Sequence, residues 1–324
     1  MPRKAFEDFD IVSTSNEKIE YYSTGCLSLD MAIGIGGIPR GRFTEIFGEE
    51  STGKSTLALQ IANTVISSGG KVSYIDTENQ MVYDYAKSII KNLNDKNFIL
   101  SKPYTAEKSF EIMEYHINTT KHDLIVLDSV AALSPIEELK KDFDESSMTL
   151  TSRLLSKFFR RQAFNVRENK IAVIFINQVR DTIGSYFKSF STPGGHSIKH
   201  YTSLRISLTK GKKIKQGETQ IGNYVNVSIV KNKVAPPFRS TSIPLIYGAG
   251  FDGLLDIIST AEMFGILTRA GSYYRYEGNN IGQGILDTKE FLLNNQEVLD
   301  NISKECYNMR ENMKGETEFI ENDY

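Results

Sequence analysis

Residues 48–55, GEESTGKS, follow the spacing G-x-x-x-x-G-K-[ST]. A loop of this kind wraps phosphate. Its glycines let the backbone curl until successive N–H groups point inward at phosphate oxygens. Lys54 is spaced to reach the β- and γ-phosphates, and the Ser55 hydroxyl to coordinate Mg²⁺. The pattern is informative only between a strand and a helix. Residues 42–47, RFTEIF, read as a short buried strand leading in, and residues 56–66, TLALQIANTVI, as a helix leading out. The start of that helix adds the positive end of its dipole. A glycine-rich surface turn needs neither flanking element. Gly48, Glu49, Glu50, Ser51, Thr52, Gly53, Lys54, Ser55 and Thr56 are therefore expected to cradle a nucleoside triphosphate.

Phosphoryl chemistry also calls for a metal-linked acid and a group that activates water. In open parallel sheets, ligands gather at the carboxyl ends of strands. Asp128 ends the run 123–128, DLIVLD, where an acid after four apolar residues suits Mg²⁺ better than a helix cap. Glu78 follows the strand pattern at 71–76 and is the candidate for activating water, with Asp76 nearby in a structural role. Gln178, after the run 174–177, is a neutral hydrogen-bonder where a γ-phosphate sensor would sit. His196 and His200 stand four apart, but no H-E-x-x-H pattern or third ligand accompanies them, so a metal site is rejected. Lys210, Lys212, Lys213 and Lys215 read as a solvated hairpin turn within 210–216.

The elements that must position these groups alternate. Strand patterns at 71–76, 97–100, 123–128 and 171–176 are separated by helical patterns near 83–91, 107–118 and 148–167. Such alternation predicts an α/β fold, a mostly parallel twisted sheet flanked by helices on both faces. Further strands are expected at 204–208, 224–231 and 240–245, before the chain turns helical and polar near 250. The organisation expected is an N-terminal arm over 1–20, a P-loop core over 21–250 and a small α+β C-terminal domain over 251–324.

Composition sets outer bounds. The 324 residues are 40% hydrophobic and 24% charged, ordinary for a globular protein with a sizeable core. No apolar run is long enough to span a membrane, and the first residues lack the apolar segment of a secretory signal. Cys26 and Cys306 are too few for a disulfide framework, and reduced thiols in a cytoplasm are the expectation. The net charge is −2, yet the last ten residues hold four acids and no base, which leaves +2 on the 314 residues before them. A mildly basic body with a short acidic tail is compatible with DNA binding.

Several stretches together resemble bacterial RecA recombinases: 22–30 (YSTGCLSLD), 48–56, 74–78 (YIDTE), 127–133 (LDSVAAL), 175–180 (FINQVR), 192–195 (TPGG), 230–238 (VKNKVAPPF) and 270–284 (AGSYYRYEGNNIGQG). The likeness runs in order from about residue 22 to about 310 and is far more specific than a P-loop alone. It implies a RecA-type P-loop core with ATP and Mg²⁺ as cofactors. Glu78 matches the catalytic glutamate, Asp128 the Mg²⁺-linked aspartate and Tyr85 the tyrosine that stacks on adenine. Gln178 matches the glutamine that senses γ-phosphate and passes the signal to the DNA-binding loop after it. Lys231 and Lys233 match lysines that reach across a filament interface to a neighbour's ATP, which is chemically sensible because two cations neutralise charge developing on the transferred phosphate. Without the resemblance, a lone K-N-K on a strand reads as a solvated edge.

The resemblance also implies two DNA loops. The first, about 140–148, leads into a helix presenting Arg153, Ser156 and Arg160; the second, about 180–195, begins at Arg180, contains Phe187 and ends in Gly194 and Gly195. Basic side chains and glycine-backed N–H groups suit phosphates, while Met148 and Phe187 suit wedging between bases. A sixteen-residue loop in a compact domain is uncommon unless functional, which favours the DNA role. The lysines around 210–215 fall where the family helps hold a second strand.

Departures from the pattern are expected to matter. Only about twenty residues precede the match, so the family's N-terminal polymerisation helix is largely missing. Val82 stands where an aspartate reads adenine, Asn226 and Ser228 where basic residues of the second DNA site belong, and His200 where a phenylalanine lies at the subunit interface. These suggest a divergent or phage-type member. The function expected is an ATPase, dependent on DNA, that self-assembles into a helical filament on single-stranded DNA, pairs it with homologous duplex DNA and exchanges strands. The alternatives are a ring-forming motor or helicase on the same fold, and an accessory ATP-dependent DNA-binding protein without strand exchange.

Overall fold

The computed structural model describes residues 19–119, 122–140, 149–181 and 190–321. Its centre is a nine-stranded sheet. In spatial order the strands are Gly250–Phe251, Ser240–Ile246, Thr219–Asn232, Leu204–Gln216, Phe43–Gly48, Ala172–Gln178, Leu124–Asp128, Val72–Asp76 and Phe98–Ser101. The six from Leu204–Gln216 to Phe98–Ser101 run parallel. The three at the other edge join antiparallel. The expected mostly parallel α/β sheet is therefore present.

Parallel strands covered on both faces read as continuous apolar runs, and these do. Side chains alternate between two cores. Val72, Tyr74, Leu124, Val126, Ile174 and Ile206 face the helix Lys54–Ser67, which contributes Leu57, Ile61 and Val65. Ile75, Ile125, Leu127, Val173 and Phe175 face the helices Ala106–Asn118 and Leu150–Glu168. On that second face Phe159 meets Phe43 and Phe175 with ring centroids 5.0 and 5.2 Å away, and stacks on Tyr201 at 5.0 Å. Burying each such ring stabilises the fold by about 1.5–3 kcal/mol. The two cores clamp the sheet so that its carboxyl edge is a rigid rim.

The lysine-rich hairpin corrects one expectation. No turn lies within 210–216. Leu204–Gln216 and Thr219–Asn232 pair almost throughout, and the chain reverses at Gly217 and Glu218. Register shifts between Lys210 and Lys213 and again at Ile214 absorb the irregular stretch as bulges rather than as a turn. Buried Ile214 anchors the arm while Lys210, Lys212, Lys213 and Lys215 stay exposed.

Beyond Phe251 come helices Gly253–Met263, Gly284–Asn294 and Gln296–Glu321 with a three-stranded antiparallel sheet, Thr268–Ala270, Tyr273–Tyr276 and Asn279–Gln283. They enclose a third apolar cluster that includes Leu255, Ile258, Tyr274, Ile302 and Cys306, and that takes in Leu27 from the early helix Leu27–Ile33. A buried carboxylate ties the same seam: Asp256 accepts from Ser28 N at 2.9 Å and from Ser28 Oγ at 2.5 Å.

Candidate active site

The loop after Phe43–Gly48 has the geometry its glycines imply. A Cβ on Gly48 would lie 2.3 Å from the carbonyl oxygen of Leu208, so no larger residue fits beside the neighbouring strand. Gly53 caps the helix Lys54–Ser67 in the left-handed region, φ 86°, which an L side chain resists. Lys54 is nearly buried and donates from Nζ to the carbonyls of Gly48 at 3.1 Å and Glu49 at 2.6 Å. Burial lowers its pKa, and the charges of Asp128, Glu78 and Glu50 act against that shift. The ammonium thus sits above the loop among carboxylates, poised for an anionic ligand.

Asp128 ends its strand as expected. Tyr74 Oη donates to its Oδ2 at 2.6 Å, and the Ser55 hydroxyl is hydrogen-bonded to it. Burial raises the Asp128 pKa; the Ser55 and Tyr74 hydrogen bonds oppose this, and the negative charges of Glu78 and Asp76 add to it. A buried acid beside a hydroxyl is a hard-oxygen donor pair, which suits Mg²⁺. That ion usually takes one or two protein oxygens and completes its shell with phosphates and water. Among the described residues there is no cluster of three or more His, Cys, Asp or Glu side chains that could hold a metal ion.

Glu78 lies just beyond Val72–Asp76. Its Oε1 accepts from Ser129 Oγ at 2.5 Å and from Gln178 Nε2 at 3.2 Å. Thr77 fixes this corner, donating from Oγ1 to Ser129 O while accepting from Ser129 N, both at 2.8 Å. Thr77, Glu78, Gln80, Ala131, Ala132 and Gln178 line an open cavity of about 370 Å³. Asp76 is buried beside it, where its Oδ2 accepts from Met81 N at 2.9 Å and pairs with Lys102 at 3.6 Å, a structural employment. Tyr85, on the helix Tyr83–Ile89, reaches the P-loop helix by a 2.7 Å hydrogen bond to Thr56 Oγ1. Lys54, Ser55, Glu78, Asp128 and Gln178 therefore come together on one rim, brought there by four neighbouring parallel strands.

The other expected residues are more scattered. Lys231 is not at a solvated edge: its Nζ donates to the carbonyls of Lys199 at 2.5 Å and His200 at 3.1 Å, at the C-terminal end of the helix Gly195–Tyr201. Lys233 is exposed. Arg153 and Arg160 are exposed on Leu150–Glu168, and Ser156 Oγ meets Ser197 Oγ at 2.6 Å, tying that helix to Gly195–Tyr201. Gly194 and Gly195 both have positive φ at the start of the latter helix. Arg180 begins the two-residue strand Arg180–Asp181, which pairs with Phe190–Ser191. Met148 and Phe187 lie outside the described residues. Sequence reading overlooked Ser129, Thr77 and Asn177; the first two had a signal, since each directly adjoins a chosen acid.

Two family models account for nearly all of the chain. The RecA N-terminal domain matches residues 5–252 and the RecA C-terminal domain residues 255–311. The chain belongs to the RecA family. Among its relatives, Protein RecA of Clostridium novyi is 41% identical over 299 residues, covering 90% of this chain and 84% of that protein. Protein RecA of Aquifex pyrophilus is 38% identical over 319 residues, 98% and 89% of the two chains. Protein RecA of Syntrophus aciditrophicus is 40% identical over 290 residues, 89% and 84%. RecA membership assigns the chain to DNA recombination and repair. RecA proteins as a family are DNA-dependent ATPases that bind single-stranded DNA and form filaments, using ATP with Mg²⁺. Among the described residues of this RecA chain, no helix is long and apolar enough to cross a membrane.

Proposed function

We propose that this chain hydrolyses ATP in response to single-stranded DNA, as subunits of a filament that pairs the bound strand with homologous duplex and exchanges strands. The observation that carries the reading is the contact of Gln178 with Glu78. It joins the acid best placed to activate water to the residue that opens the segment between Arg180 and Gly195. In this mechanism Lys54 and the loop N–H groups hold the β- and γ-phosphates, and Tyr85 packs against the base. Ser55 and Asp128 would hold Mg²⁺, which when bound neutralises phosphate charge. Glu78 takes the proton of the attacking water, oriented by Ser129 and Gln178. Lys231 and Lys233 approach the nucleotide of the adjoining subunit, in the manner of an arginine finger.

Arg153, Ser156, Arg160 and Arg180 face the DNA backbone with the N–H groups of Gly194 and Gly195, while Met148 and Phe187 separate bases. Sequence selection then comes from base pairing rather than side-chain readout. ATP and single-stranded DNA strengthen each other's binding by the same factor, as linkage requires. The test is ATP turnover with and without single-stranded DNA, with Lys54→Ala as a blank. Strong stimulation lost in that variant supports the reading. A rate indifferent to DNA overturns it.

A further inference from the structure

Glu45 is a charged residue in an unusual place. It sits in the middle of Phe43–Gly48, three residues before the P-loop, and is 0% exposed. A buried carboxylate persists only where its oxygens are paired. Here Oε1 accepts from Asn177 Nδ2 at 2.9 Å, and Oε2 accepts from Arg205 Nε at 2.5 Å. The Arg205 guanidinium lies over the Phe47 ring, 4.7 Å from its centroid. Strands 43–48, 172–178 and 204–216 are neighbours in the sheet, so one carboxylate ties three of them together.

Asn177 is the more telling partner. It too is 0% exposed, and it immediately precedes Gln178. Its amide nitrogen has two hydrogens, and both are spent: one on Glu45, the other on the carbonyl of Pro193, 2.9 Å away. Its oxygen accepts from Gln178 N at 3.0 Å. Both partners of the nitrogen are acceptors only, which fixes the orientation of the amide. Asn177 lies before the segment that starts at Arg180, and Pro193 lies at its far end, just ahead of Gly194 and Gly195. One buried amide thus fastens both ends of that segment to the P-loop strand. Alanine could make neither bond and would leave the space of the amide empty.

We infer that Asn177, held by Glu45, is a positioning residue: it locks the two ends of the DNA segment to the nucleotide-binding strand, so that a change at either site moves the other. The role rests on the proposed function above. Gln178 touches Glu78 directly, whereas Asn177 touches neither nucleotide nor Glu78 and acts through Gln178 and Pro193. The same carboxylate is felt by Lys231, whose Cα is paired in register with that of Arg205 and whose ammonium is bound at the end of the helix that follows Gly195. The cluster therefore also touches the element that carries the proposed contact between subunits.

The experiment measures ATP turnover of the full chain with and without an unstructured poly-dT oligonucleotide, together with thermal stability. Variants are Asn177→Ala and the double exchange Glu45→Gln with Asn177→Asp. In Asn177→Ala, kcat and KM without DNA should stay within about twofold of the parent, while stimulation by the oligonucleotide should fall by roughly tenfold, a typical allosteric coupling. The double exchange reverses the donor. The amide it places at position 45 can donate to the carboxylate it places at position 177, but that carboxylate can no longer donate to Pro193. The variant should regain stability and still lack stimulation. A parent indifferent to the oligonucleotide overturns the proposed function and this role with it. A stimulated parent alongside equally stimulated Asn177→Ala overturns only this role. Stimulation that returns in the double exchange also overturns it, since the tie to Pro193 would then be dispensable.

Discussion

The side-chain amide of Gln178 donates to Oε1 of Glu78 across 3.2 Å, and Ser129 Oγ shares that oxygen at 2.5 Å. Both partners are neutral donors, so they orient the carboxylate without adding charge to it. Gln178 ends the strand that leads into the proposed DNA segment, and Ser129 follows the acid proposed to hold Mg²⁺. A shift in either neighbour is thereby felt at the group that would deprotonate water.

Replacing Glu78 with Gln keeps the shape and removes the proposed base. Loss of a positioned general base typically costs 10²–10⁴-fold in rate. Glu78→Gln should therefore turn over ATP at least about a hundredfold more slowly, while nucleotide and single-stranded DNA affinities change little. Steady-state hydrolysis and equilibrium binding check this together. Unchanged turnover would remove Glu78 from the mechanism.

Lys231 and Lys233 are proposed to act on a neighbour's nucleotide, and mixing variants tests that arrangement. Lys231→Ala and Glu78→Gln should each hydrolyse ATP poorly alone. In a mixed filament, some junctions pair an intact Glu78 with an intact Lys231 from the adjacent subunit, because a head-to-tail interface joins two different surfaces. DNA-stimulated turnover should therefore exceed that of either variant alone. A mixture no more active than the average of its parts would place Lys231 in its own subunit's site or outside the reaction.

The site was legible in the sequence wherever one local pattern set the geometry. The P-loop needs only eight adjacent residues. Asp128 and Glu78 are legible because a buried parallel strand delivers its next residue to the same rim every time. The Glu45–Asn177 bond joins residues 132 positions apart, and nothing near Glu45 announces its partner. In sequence it is one acid in an otherwise apolar strand. The hairpin misled for a related reason. Glycine and lysines at 210–215 read as a turn, but pairing with Thr219–Asn232 rewards continued extension, and bulges absorb the misfit. Lys231 reads as a solvated edge because the carbonyls that receive it belong to a helix some thirty residues earlier.

The Mg²⁺ requirement should depend on pH, with its sign set by Asp128. Burial raises that carboxyl's pKa, so it holds a proton more readily than an ordinary aspartate, and the proton competes with the cation. As pH falls, the Mg²⁺ concentration needed for half-maximal turnover should rise more steeply than for an exposed carboxylate ligand. Asp128→Asn should need more Mg²⁺ at neutral pH and lose most of that pH dependence. Titrations of Mg²⁺ at a series of pH values from neutral downward read both effects. Parallel curves for the parent and Asp128→Asn would dissociate Asp128 from the metal.

Stability should carry a second pH signature at the seam with the C-terminal helices. Asp30 and Asp256 are 2% and 0% exposed, and burial pushes each carboxyl from 3.8 up to about 6, against the opposing hydrogen bonds from Ser23 and Thr24 to Asp30 and from Ser28 to Asp256. At pH below 3.8 both the folded and unfolded chains hold these protons. Between 3.8 and 6 only the folded chain does, so stability falls as pH rises through that window and is lowest above it. The loss is at most roughly 3 kcal/mol for each group. Asp256→Asn keeps an acceptor for Ser28 N, and its amide can donate to Ser28 Oγ, so the pair survives without the charge. Relative to the parent, this variant should therefore gain stability as pH rises from acid to neutral, as read by urea unfolding at a series of pH values. If the difference between the two proteins stayed constant across the series, Asp256 would not be titrating there, and the seam would owe its pH response to other groups.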